Sequence, residues 1–247
     1  MIALVGFALL YVGLSQVAGA LGMAGGFLLG ALNALLVGAT LSLIEQSLSG
    51  ARSLQWHDIV DSLGCYFWDV IGVGFVLWLP IMALDMGTHA NPYGQFLLSA
   101  ALLLLFILLN PAPEVIYQVR HDSPLDVFKT CYEFVLENWI EWFVPFGLLL
   151  LPVVLSPSGL EQFVRLSSRL GRGAGLDFFQ LLILPFTVLG GWFAYLGLSA
   201  DAYWLLAILL TPPVAMCILL FRGHLFALLH GSSHRQRRFA GRFETGR

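Results

Sequence analysis

Three polar side chains stand within or beside long apolar stretches of this sequence: Asp69, Asn110 and Glu114. Ionisable groups at membrane depth are costly, and by default they are candidates for substrate, ion or proton pathways. Two of the three belong to segment 110–114, which reads NPAPE. Its prolines remove backbone donors and free carbonyl groups beside a carboxylate, as in the broken helices of transporters. The three residues are therefore a candidate intramembrane polar site.

A second interpretation places the same carboxylates at the membrane surface. Asp69 follows Trp68, and Glu114 lies one helical turn before Tyr117. Aromatic residues of this kind are enriched where a helix meets the lipid headgroups. An interfacial or helix-end role therefore stays open beside a substrate, ion or proton role.

Small residues recur every four positions in the second apolar segment. This spacing lines one helix face, so that helix backbones can approach closely, as in a glycine zipper. The face could pack within the chain, form a seam for a homo-oligomer or another subunit, or line a pore. Its members are Gly22, Gly26, Gly30, Ala34 and Gly38.

No residue set with the spacing of a catalytic or metal site is present. His57-Asp58 and His121-Asp122 are adjacent pairs without a third ligand, so we interpret them as surface residues. The sequence contains no P-loop, HExxH, GxSxG or dinucleotide-binding motif. We therefore predict no catalytic residue, no metal and no cofactor, and an enzyme is the least favoured class.

Composition identifies the class of protein. Of 247 residues, 58% are hydrophobic and only 11% are charged, and the mean hydropathy is +0.83. These values exclude a water-soluble domain and a disordered chain. The net charge of −3 gives no drive toward nucleic acid. The three cysteines, Cys65, Cys131 and Cys217, are odd in number and far apart in the sequence. They are predicted to be small buried hydrophobic residues without disulfides.

The elements that position these residues are predicted to be membrane-spanning helices. We expect an all-α, polytopic bundle with one transmembrane domain over residues 1–221, in units of about 1–46, 53–117 and 123–221. Each apolar segment approaches the ~20 residues that cross a bilayer. The seven segments are about 2–20, 22–46, 68–85, 94–117, 139–156, 177–197 and 203–221.

Two connectors, 53–67 and 123–135, are predicted to be amphipathic interfacial helices. In the second connector, charged residues cover one face, and the opposite face carries Leu125, Phe128, Cys131, Tyr132 and Val135. Residues 222–247 form a basic tail, predicted to be cytoplasmic and to contact lipid headgroups or a partner. Its candidate contacts are Arg235, Arg237, Arg238 and Arg242.

Basic residues favour the cytoplasmic side of a membrane. Arrangements with six and with seven crossings place the same number of basic residues on that side, and both place the tail in the cytoplasm. The repeated unit favours six crossings, because each unit should end on the same side. The apolar run 178–198 favours seven.

The layout resembles that of bacterial membrane proteins related to the membrane domain of some glycerophosphodiester phosphodiesterases. Segments 53–80, 123–152, 221–226 and 232–238 carry this resemblance. It implies chained units of one interfacial helix and two spans. It implies no catalytic residue, because only the membrane part is similar.

Two functional classes follow for a multi-pass protein of a bacterial inner membrane. The first is a non-catalytic subunit or scaffold of a membrane assembly, which the small-residue face and the short loops support. The alternative is a transporter, channel or lipid-handling protein, which the proline-broken segment supports. The expected partners are membrane lipids and a homo-oligomer or other membrane subunits, without nucleic acid.

A reporter fusion distinguishes six crossings from seven. With six, a reporter fused near Gly173 should lie opposite the basic tail and give no cytoplasmic signal. Alkaline phosphatase and fluorescent-protein fusions at this position measure the side directly. A cytoplasmic signal there would contradict the six-crossing arrangement.

Overall fold

The chain folds into helices wherever its structure is described. A computed structural model describes residues 2–50, 56–88, 93–119, 121–155, 176–197 and 200–231. Within these ranges there are nine helices and no strand. They are α1 (Ile2–Ala20), α2 (Gly22–Ser49), α3 (Trp56–Ser62), α4 (Phe67–Thr88), α5 (Gly94–Leu108), α6 (Ala112–Gln118), α7 (Pro124–Leu155), α8 (Phe178–Tyr195) and α9 (Ala200–His230).

Six stretches of the described chain are long and apolar enough to cross a bilayer. They are Ile2–Ala20, Gly22–Ser49, His57–Thr88, Phe96–Gln118, Pro124–Leu151 and Leu205–His230. The apolar part of α8 is shorter, Leu181–Phe193. The predicted all-α polytopic membrane bundle is therefore confirmed.

Helix α2 is the centre of the bundle. Residues 36–44 are all buried, so this half of the helix is covered on every side. Its polar groups are satisfied locally, since the Thr40 hydroxyl donates to the Leu36 carbonyl at 2.7 Å. A one-residue turn joins α1 to α2, and Gly22 adopts the left-handed φ of +56° that this turn requires.

The last span runs antiparallel to α7. Phe226 of α9 contacts Phe134 near the start of α7, at 4.6 Å between ring centroids. Phe221, earlier in α9, faces Phe146, later in α7, at 6.3 Å. The end of α9 therefore lies beside the start of α7, as it does when α7 and α9 cross in opposite directions.

Helix α8 begins about half-way along α2. Asn33 of α2 accepts the Phe178 backbone N–H at 2.8 Å and donates to the Leu176 carbonyl at 3.1 Å, so it caps the start of α8. Near the other end of α8, the Trp192 indole donates to the Leu149 carbonyl of α7 at 3.2 Å. Helix α8 thus runs alongside α7 in the same direction, which agrees with the six-crossing arrangement.

The second amphipathic segment is continuous with the span that follows it. Asn138 interrupts α7 with φ −129° and ψ 20°, and the kink separates the amphipathic part from the apolar part. The charged residues Asp126, Lys129, Glu133 and Glu137 are exposed, as expected.

The predicted apolar face of this segment meets two surroundings. Cys131 and Val135 are buried, together with Val127 and Phe134, and Phe134 packs against α9. Leu125 and Tyr132 lie on the surface of the described chain. The cysteine prediction was partly wrong, because the cysteines at positions 65 and 217 are exposed.

Gly38 tests how closely α2 is packed. A Cβ at this position would lie 3.1 Å from the Tyr66 carbonyl carbon and 3.2 Å from the Phe67 nitrogen. Because these are backbone atoms, Gly38→Leu should destabilise the fold by about 1–3 kcal/mol or more. Thermal unfolding in detergent measures the loss, with Gly13→Leu on α1, where no described atom lies within 4 Å, as the control. Equal stability of the two variants would contradict the close packing.

Candidate functional site

A buried ion pair joins α6 to α9. The Arg222 Nε donates to Glu114 Oε1 at 2.6 Å, and its Nη2 donates to Glu114 Oε2 at 2.8 Å. Glu114 is 1% exposed and Arg222 is 9% exposed. This two-point geometry matches the planar guanidinium to both carboxylate oxygens, the strongest arrangement for such a pair.

The interruption between α5 and α6 supplies a third hydrogen-bond acceptor to Arg222. Helix α5 ends at Leu108, α6 begins at Ala112, and Pro111 between them has no N–H to donate. The Asn110 backbone carbonyl accepts Arg222 Nη2 at 2.6 Å. The sequence predicted a free backbone carbonyl near Glu114 in segment 110–114. The Asn110 carbonyl is such a group, and it binds the Arg222 side chain of the same protein.

Two aromatic rings close the site toward α7. The Arg222 guanidinium carbon lies 5.3 Å from the Trp142 ring centroid and 5.4 Å from that of Phe146. The indole N–H of Trp142 donates to Asn110 Oδ1 at 2.9 Å. The rings exclude water and attract the cation through their faces. Five side chains from three parts of the chain thereby form one cluster.

The geometry of the cluster stabilises the buried charges of Glu114 and Arg222. Removing two charges from water is repaid only when the pair is well aligned and its remaining groups are hydrogen-bonded. Here both carboxylate oxygens and a backbone carbonyl accept three of the five guanidinium N–H donors. A carboxylate engaged in this way is not available to a passing ion or substrate unless Arg222 first moves away.

The structure brings two of the three predicted polar residues together and separates the third. Asn110 and Glu114 both contact Arg222, whereas Asp69 lies at the start of α4. The Asp69 side chain is 41% exposed and stands 3.5 Å from His121 Nε2. Asp69 therefore belongs to the end of the bundle at which α4 and α7 begin.

The two histidines that precede an aspartate in the sequence, His57 and His121, each contact a different aspartate in the structure. His57 contacts Asp61, one turn further along α3, at 2.7 Å, and His121 contacts Asp69 of another helix. No group of three metal-ligating side chains is found among the residues that the structure describes.

Sequence reasoning missed the role of Arg222 and of Trp142. From the sequence, Arg222 was assigned to the start of the basic tail, and Trp142 was given no functional role. Arg222 is instead buried within α9, and Trp142 is completely buried. One signal was available, because apolar residues resume after position 222 and show that the span continues past the arginine.

The small-residue face of α2 divides into two parts. Ala34 and Gly38 are buried inside the bundle. No described atom lies within 4 Å of the position of a Cβ on Gly22, Gly26 or Gly30. The candidate arginines of the basic tail lie outside the described residues.

Comparison with known proteins returned no matching protein family, no matching curated protein and no matching solved structure. The resemblance to the phosphodiesterase membrane domains therefore stays a prediction. The residues themselves carry the functional argument.

The buried pair makes a sharp prediction for single and double variants. Glu114→Gln alone should destabilise the protein by about 3–5 kcal/mol, because it leaves the Arg222 charge buried without a counter-ion. Arg222→Met alone should be similarly harmful. The double variant should lose much less than the sum of the two, since it removes both charges. Thermal unfolding of all four forms in the same detergent measures this coupling.

A transport role for Glu114 predicts a different result. Glu114→Gln would then abolish activity while expression and unfolding temperature stay near those of the wild type. Unchanged stability of Glu114→Gln would contradict the proposal that the Glu114–Arg222 ion pair stabilises the fold.

Proposed function

We propose that the protein is a non-catalytic subunit or scaffold of a membrane assembly, and that it binds a transmembrane helix of another subunit along α2 and α4. The observation that carries the proposal is a groove that no other part of the described chain fills and whose walls contain glycine on both helices; Leu176 and Asp177, just before α8, border it as well. We call it the α2–α4 groove. Gly26 and Gly30 of α2 and Gly74 of α4 line it.

These three glycines differ from the glycines that pack the interior. A Cβ at Gly38, Gly191 or Gly223 would lie closer than 3.4 Å to atoms of a neighbouring helix or loop, so packing requires glycine there. No described atom lies within 4 Å of such a Cβ at the three groove positions.

Glycine inside a helix costs about 1 kcal/mol relative to alanine. The groove glycines recover none of this cost from contacts with the described part of the chain. Close approach of a second helix backbone would recover it, because transmembrane helices associate through small residues rather than through a hydrophobic drive.

The dimensions of the groove also suit a helix. Its volume is about 700 Å³, and apolar side chains of α2 and α4 border it. Phe27, Phe75 and Trp78 are each more than half exposed, and the last two rings stack at 6.2 Å. Large rings beside a floor of small residues provide the ridges and the hollow into which a helix can pack.

The transporter alternative has less support. Its best candidate site contains Asn110 and Glu114, and both are engaged by Arg222 or Trp142. Transport through this site would have to break the bidentate pair in every cycle. The subunit proposal requires no movement of the buried charges.

Native mass spectrometry of the protein extracted from its own membrane in mild detergent tests the proposal. We expect a defined complex with at least one other polypeptide. Gly30→Leu should dissociate that complex while the monomer stays folded, because the added side chain fills the groove without meeting a described atom. The mass of the complex and the unfolding temperature of the monomer measure the two effects separately.

Two controls make the result specific. Gly147→Leu places the same side chain on an exposed face of α7, again with no described atom within 4 Å, and should leave the complex intact. A lone wild-type chain would overturn the proposal. A homo-oligomer disrupted by Gly30→Leu would identify a second copy of this chain as the occupant of the groove and would overturn the partner-subunit assignment.

A further inference from the structure

A second cavity, separate from the α2–α4 groove, lies between α2, α6 and α9. Its volume is about 340 Å³, near the lower end of the ~300–1,000 Å³ range of small-molecule sites. Unlike the groove, it carries several polar side chains. Its polar lining comprises Glu45, Ser49, Tyr117, Gln118 and His224.

The Tyr117 hydroxyl is a buried polar atom that makes no hydrogen bond of good geometry within the described part of the chain. Tyr117 is 6% exposed, and the Gln118 side chain lies beside its hydroxyl. Buried polar groups are paired in nearly all proteins, and an exception indicates a missing ligand or water. Tyr117 lines the cavity, and a small rotation of its side chain would bring the covered hydroxyl into contact with a molecule bound there.

Gly223 keeps space for this hydroxyl. A Cβ at that position would lie 2.6 Å from the Tyr117 hydroxyl oxygen and 2.6 Å from Leu48 Cδ1. The Gly223 carbonyl also accepts the Gln118 amide N–H at 2.9 Å, which holds α9 against the end of α6. The backbone of α9 thus forms one wall of the cavity.

The charge of the lining selects the class of ligand. Glu45 contributes a carboxylate, which the Tyr66 hydroxyl positions through a 2.6 Å hydrogen bond. Within the described part of the chain, no lysine or arginine lines the cavity. The nearby Arg222 guanidinium is bound to Glu114. A carboxylate together with hydroxyl oxygens matches the three N–H donors of a primary ammonium group.

The position of the cavity suggests where such a group comes from. Glu45 and Gln118 lie in the last turns of α2 and α6, close to the short helix α3 and the start of α4. The ends of spanning helices are where lipid headgroups are expected. An ethanolamine headgroup carries a primary ammonium, whereas a choline headgroup has no N–H to donate.

We propose that the cavity formed by Glu45, Tyr117 and Gly223 binds a primary ammonium group, supplied by an aminophospholipid headgroup or by a free amine. The site does not depend on the α2–α4 groove, whose glycines lie elsewhere on α2. The cavity therefore adds a ligand to the proposed subunit without assuming its partner.

The test uses the full chain in nanodiscs that contain equimolar phosphatidylethanolamine and phosphatidylcholine with identical acyl chains. Native mass spectrometry after release counts each lipid that stays bound. The wild type should retain phosphatidylethanolamine preferentially. Glu45→Gln and Tyr117→Phe should each reduce this preference, by about tenfold for Glu45→Gln because it removes the charged contact. Glu133→Gln, an exposed carboxylate of α7, should leave it unchanged.

A second arm adds ethanolamine hydrochloride to protein in lipid-free detergent. Binding of ethanolamine that Glu45→Gln abolishes, without any lipid preference, would support the ammonium site and assign it to a free amine. Equal retention of both lipids together with no ethanolamine binding would overturn the proposal. A lipid preference that both cavity variants leave unchanged would overturn it as well.

The variants also remain interpretable if the site is wrong. The Tyr117 hydroxyl makes no hydrogen bond of good geometry to a described residue, so Tyr117→Phe should fold. If the cavity holds only water, this variant should match or exceed the wild type in stability in every lipid mixture, and that result counts against the proposal. If an ammonium group binds, phosphatidylethanolamine should stabilise the wild type more than Tyr117→Phe.

Discussion

The bond between Glu114 and Arg222 is the constraint around which the rest of the bundle is arranged. Two charges can be buried only if they meet in good geometry, and each of the surrounding features serves that requirement. The break after α5 turns a backbone carbonyl toward the guanidinium. Trp142 and Phe146 cover it from α7. Gly223, the next residue of α9, allows that helix to approach Tyr117 and Gln118. One ion pair therefore joins α6, α7 and α9.

Helix α2 provides the second organising element, because its two halves meet different surroundings. The half that contains Gly38 is buried on all sides and supports the start of α4. The half that contains Gly26 and Gly30 borders an open groove. The same four-residue spacing thus serves internal packing at one end and an available surface at the other.

Several features could be predicted from the sequence because they are local. The length and hydropathy of each segment predict spanning helices, and the prolines of segment 110–114 predict a break next to Glu114. The charged face of the amphipathic part of α7 also follows from spacing. The partner of Glu114 does not, because Arg222 is 108 residues away and the sequence offered no reason to choose it over other arginines. Which residues of the amphipathic part of α7 are buried inside the protein could not be predicted for the same reason, since contact with α9 covers Phe134.

The sequence by itself determined the class of protein and the helical secondary structure, because composition and periodicity reflect whether lipid, water or protein surrounds each helix. It also showed that recognised catalytic motifs are absent. The tertiary structure alone decided which polar residues meet. It joined Glu114 to Arg222 and left Asp69 beside His121, and it placed Tyr117 and Glu45 in the lining of one cavity. These pairings depend on how helices distant in sequence pack side by side, and periodicity along a single helix contains no information about its neighbours.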